Sequence, residues 1–82
     1  MREKTMTNAI ERTAARADQM AALKNAPKSI APMGNLIRYA KGPVGLSWIA
    51  DNCEAQSKAQ TRHDHAAMFR VIAKRIRRAI AA

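Results

Sequence analysis

Residues 63–82 read HDHAAMFRVIAKRIRRAIAA, and the phase of this stretch decides the fold. At 100° per residue, His65, Met68, Phe69, Ile72, Ala73, Ile76, Ala79 and Ile80 share one arc, while Arg70, Lys74, Arg77 and Arg78 occupy the opposite one. Arg75 lies at the boundary. Such a pattern is an amphipathic helix with an aliphatic side to bury and a cationic side to expose. No acidic residue follows Asp64, so nothing on this helix neutralises its five cations. Cations near a helix C-terminus also favour the macrodipole by a few tenths of a kcal/mol, which is a reason for their presence unrelated to function.

Working back from this helix, the chain has no Pro or Gly after Gly45. The remainder is therefore one helix of about 55 Å or two shorter ones. Leu46, Ile49, Ala50 and Cys53 make an apolar face that does not run through the polar residues 54–65. Thr61 followed by Asp64 has the form of a capping box, and a break is expected near residues 59–63. Further back, Pro32 opens a short helix and Gly42 with Pro43 stops it. Its apolar residues Met33, Leu36, Ile37 and Ala40 are expected to form a buried stripe. Gly34 is a poor helix residue, and it marks the close approach of a neighbouring backbone. The segment Asn25–Ser29 is a loop. Before it, Met6, Ile10, Ala14, Ala17 and Ala21 form a narrow stripe, with Asn8 and Glu11, or Thr5 or Thr7, available as caps.

The expected fold is an all-α helical bundle of three to four helices, about 5–25, 32–41, 45–59 and 62–81, with three if the last two merge. Residues 1–82 form a single domain, because a chain this short hides only about 60 to 65% of its unfolded surface. Much of the 48% hydrophobic content is alanine, and the aromatics are Tyr39, Trp48 and Phe69 alone. The core is then either tight alanine-lined packing or a fold completed by a partner, and a homodimer is one such partner.

A formal charge of +9 directs attention to acidic partners: nucleic acid, an anionic membrane or an acidic protein surface. Arginine outnumbers lysine four to one on the last helix, and its fork suits phosphate and carboxylate. The expected binding set is Arg70, Lys74, Arg75, Arg77 and Arg78, joined by Arg12, Arg16, Arg38 and Lys41 if the fold gathers them. The competing reading is a core-docked helix with a merely solvated charged face. A membrane-surface helix is the third, weakened by the lack of a Trp at the edge of the face. Trp48 is either a core residue or an exposed binding anchor.

Catalytic and metal chemistries lack their residues. His63 and His65 stand about 200° apart on a helix and cannot share an ion there, so no metal or cofactor is expected. His65 is expected to pack with its ring nitrogen satisfied. Cys53 lacks a general base and belongs to a buried face. Gly34, Gly42 and Gly45 lack the spacing of a phosphate loop. Residues 35–60 have the outline of a helix-turn-helix, in which Ser47, Asn52, Gln56, Ser57 and Lys58 would reach bases but Asp51 and Glu54 would oppose phosphates. One unpaired cysteine and no apolar run of membrane length fit a cytoplasmic protein. The functional expectation is a non-enzymatic protein that binds nucleic acid or a nucleic-acid-associated complex. The alternative is a small inhibitor or adaptor of the phage-encoded, anti-CRISPR-like kind, blocking a host protein or defence complex. That alternative rests on size and lack of motif.

Overall fold

The polar stretch before residue 63 does interrupt the helix. A computed structural model describes residues 2–81, with side chains from residue 7 to residue 81, and all its regular elements are helical. They are α1 (Arg2–Ala21), a 3-10 turn (Lys28–Ile30), α2 (Met33–Tyr39), α3 (Gly42–Ala59) and α4 (His63–Ala81). Residues 60–62 turn the chain so that α3 and α4 pack along one another as a hairpin. On α3 the buried row is Leu46, Ala50, Cys53 and Ser57. Ser57 continues this row where no apolar residue exists, and its hydroxyl donates to the Ala66 carbonyl of α4 at 2.9 Å. That bond satisfies a polar group inside the packing.

α4 is the central helix of a layer. It packs against α3 on one side and α1 on the other, while α2 lies across α1 and the 3-10 turn also rests on α1. The core between them holds Ala14, Ala17 and Met20 of α1, Met33 and Ile37 of α2, and Phe69, Ile72, Ala73 and Ile76 of α4. Alanines at the helix contacts bring backbones close, as the composition implied. Gly34 shows how close. A Cβ there would sit 2.0 Å from Asp18 Oδ1 and 3.1 Å from the Ala14 carbonyl oxygen, so any side chain at this crossing would displace Asp18 and crowd the α1 backbone. At the other turn, Gly42 has φ of +69°, a left-handed backbone that lets the chain reverse from α2 into α3.

Several expectations need correction. α1 begins at Arg2 rather than near residue 5, so Thr7, Asn8 and Glu11 lie inside it and not at its cap. The side chains of Thr5 and Met6 lie outside the described residues. α1 also ends at Ala21 rather than 25, because residues 22–25 form a turn whose last residue bonds to α4. The expected loop contains the 3-10 turn, which drives Ile30 into the core. α3 starts at Gly42 rather than 45, with Pro43 in its first turn, where a missing N–H costs nothing. Finally, α2 buries Met33, Gly34 and Ile37, whereas Leu36 is 47% exposed and outside the stripe assigned to it.

Candidate functional site

The outward face of α4 follows from its inward one. Burying Phe69, Ile72, Ala73, Ile76 and Ala79 turns Arg70, Lys74, Arg75 and Arg78 to the surface. Among the described residues these four cations make no ion pair. Two further cations come alongside from the flanking helices. Arg12 of α1 lines a groove with Arg75 and Arg78, and Lys58 of α3 lines another with Arg70. Lys58 was grouped with base-reading residues, yet its helical position sets it beside the cationic arc.

Arg77 differs from its neighbours. Its Nη2 donates to Asp51 at 2.6 Å and also to Glu54, both on α3. The hydrogen bond to Glu54, then that to Asp51, holds this guanidinium cationic well beyond the ordinary arginine range. No acid of α4 itself pairs with its cations among the described residues, as expected, but two acids of α3 do pair with Arg77, which takes Arg77 out of the free set. Arg38 is engaged in the same way, by Asp18 at 2.6 Å and Glu11 at 3.7 Å, and does not join the surface. Arg16 reaches Gln19, and Lys41 sits in the α2–α3 turn.

The start of α4 is tied down by Asp64 rather than by Thr61. Asp64 receives the Arg62 fork at 3.0 and 2.7 Å, the Asn25 amide at 2.8 Å and the His65 backbone N–H at 2.9 Å. The His65 ring donates from Nε2 to the Asn25 carbonyl, so its nitrogen is satisfied as expected. Asp64 and Asn25 thus join the end of the α1 turn to the first turn of α4. The Arg62 hydrogen bond, aided by Asn25 and His65 and opposed by desolvation, lowers the Asp64 pKa from 3.8 to about 2. A carboxylate with a depressed folded pKa stabilises the fold above its unfolded value, and that contribution fades as pH falls through the folded value. We expect the stability advantage of the natural protein over Asp64→Asn to shrink between about pH 4 and pH 2 and to be constant above, as read by urea titration at each pH.

A second surface lies at the seam between α2 and the first half of α3. Trp48 is 75% exposed, Tyr39 80%, Val44 72% and Leu36 47%, and Trp48, Tyr39 and Leu36 border one groove of about 420 Å³. Trp48 is therefore outside the core. The sequence reading gives Tyr39 and Val44 no role and assigns Leu36 to the core. The available signal was that α2 has two apolar faces, Met33 with Ile37 and Leu36 with Tyr39.

Other candidate chemistry is occupied elsewhere. Burial, helped by the charge of Glu54, pushes the Cys53 thiol up to about 11, and its Sγ lies 3.8 Å from Met33 Sδ inside the core. The helix-turn-helix outline loses Ser57, which is buried between α3 and α4. Among the described residues no three His, Cys, Asp or Glu side chains gather to hold a metal, and no helix is long and apolar enough to cross a membrane. No family model, curated protein or solved structure matches the chain.

Proposed function

We propose that this protein is a non-enzymatic binder of nucleic acid, which holds the phosphate backbone on the outward face of α4. The observation that carries the reading is the group of Arg70, Lys74, Arg75 and Arg78, unpaired among the described residues, with Arg12 and Lys58 beside them. Arg77 acts within the fold, joining α3 to α4. The shape of the surface favours phosphate contact over base reading. A duplex major groove is about 12 Å wide and admits one helix of 10–12 Å. α4 is flanked by α1 and α3, so only its outward side chains can reach a duplex. The helix lies across the backbone, and binding is independent of sequence.

Four phosphate contacts set the test. Log affinity for a duplex should fall with log salt at a slope of roughly −3.6, a loss of about 150-fold between 50 and 200 mM. Duplexes of unrelated sequence should bind within a few-fold of one another in a fluorescence anisotropy titration. A flat salt response, or no binding at 50 mM, defeats the proposal. A stoichiometric protein complex that survives nuclease treatment would point to an acidic protein groove as the true ligand of this face.

A further inference from the structure

The seam between α2 and α3 is unrelated to the cationic face, and we infer that it is where a second copy of this chain docks. Two flanks of α3 serve two surfaces. Trp48 and Asn52 line the seam with α2, whereas Glu54 and Lys58 line grooves with α4. Nothing in the seam is needed to bind phosphate.

Three observations favour a second copy as the occupant. The first is self-complementarity. A two-fold interface uses the same patch twice, so the patch must carry both projections and a recess to receive them. Here Trp48 and Tyr39 project, at 75% and 80% exposure, from the borders of the groove itself. The second is area. Fully exposed aromatic side chains offer about 150–250 Å² each, so these two with Leu36 and Val44 leave on the order of 500 Å² uncovered per copy. Two copies then bury about 1,000 Å², the lower bound for a biological interface, which fits a weak and concentration-dependent dimer. The third is charge. The polar residues among the groove lining are Asn35 and Asn52, which are neutral. A +9 chain repels its copies, but the free cations of α4 lie on another side of a body 21 × 16 Å in section. That exceeds the screening length of about 8 Å at physiological salt. Pairing through the seam therefore brings apolar surface together without joining the α4 faces, and leaves Lys41 of the α2–α3 turn as a cation at its edge.

Such a dimer points two α4 faces outward. Resting on the nucleic-acid reading above, this makes it bivalent, able to bridge two segments of one polyanion and to gain affinity from the second contact.

Sedimentation equilibrium over roughly 10 to 500 µM, with no nucleic acid present, tests the pairing directly. The natural protein should pass from monomer to dimer, and the transition should move to lower concentration as salt rises to about 0.5 M, because screening weakens repulsion. Phosphate binding has the opposite salt dependence, so the two surfaces are separable by this sign alone. Trp48 is the only tryptophan, and its emission should shift to the blue along the same concentration series. Trp48→Ala and Tyr39→Ala should each weaken the dimer by on the order of tenfold or more. Both side chains are exposed, so helicity should be unchanged. Charge reversal on α4 should leave the dimer in place, whatever it does to nucleic-acid binding. A protein that stays monomeric throughout, or a dimer indifferent to both substitutions, overturns the inference.

Discussion

Arg70→Glu, Lys74→Glu and Arg78→Glu in one chain are expected to weaken duplex binding at 50 mM salt by a hundredfold or more, with helicity intact. Only Arg75 of the four free cations then remains, so the salt slope should flatten from roughly −3.6 to about −0.9. All three side chains are exposed and unpaired among the described residues, so the substitutions remove no internal bond. Arg77 stays in place deliberately. Its loss would bare Asp51 and Glu54 beside the surface, and their charges would repel phosphate for a reason unrelated to contact. Each reversal removes two charges, so the formal charge falls from +9 to +3. A matched control separates charge from place. Lys24, Lys28 and Lys41 are exposed and off the α4 face, and their reversal to glutamate gives the same +3. The control should lose less than tenfold, because distant charges are screened while contacting ones release counterions. Equal losses in the two variants would mean that net charge and not this face attracts the ligand. Full binding by the α4 variant would move the site to α1 or to the seam.

The cationic face was legible because α4 has a single strong phase: five aliphatic or aromatic positions on one arc fix where the arginines go. The break before it was legible too, since residues 54–65 cannot extend an apolar stripe. What the chain concealed was pairwise. Arg77 and Arg78 are adjacent and equivalent in composition, yet only Arg77 faces α3 and meets Asp51 and Glu54, residues 26 and 23 positions earlier. Intrahelical spacing holds no trace of that. α2 misled for a different reason. Seven residues are too few for one apolar face to dominate, and Leu36 and Ile37 stand about 100° apart around the axis, so a narrow contact line buries one of them more fully than the other. The crossing through Gly34 decided in favour of Met33 and Ile37 and left Leu36 with Tyr39 on the seam. Ile30 was hidden in a stretch of turn-forming residues between Pro27 and Pro32, where periodicity has no length over which to act.

Phe69→Ala should be the most damaging single substitution in the core, at about 3–5 kcal/mol in urea denaturation. Phe69 is the largest fully buried side chain, and the other two aromatics, Tyr39 and Trp48, are both exposed. Among alanines and medium aliphatics, no neighbour can expand into the space a benzyl group leaves. A chain of 82 residues has a total stability of about 4–12 kcal/mol, so the loss takes a quarter of it at best and exceeds it at worst. Trp48→Ala supplies the contrast. Three-quarters exposed, it should change the unfolding midpoint of the monomer little, since surface substitutions stay within about 0.5 kcal/mol. The pair of variants tests more than packing. Helix geometry makes the burial of Phe69 and the exposure of Arg70, Lys74 and Arg78 a single fact about how α4 is turned. If Phe69→Ala left the midpoint unchanged, α4 would be turned the other way in solution. Its cations would then lie against α1 and α3, and no phosphate could reach them.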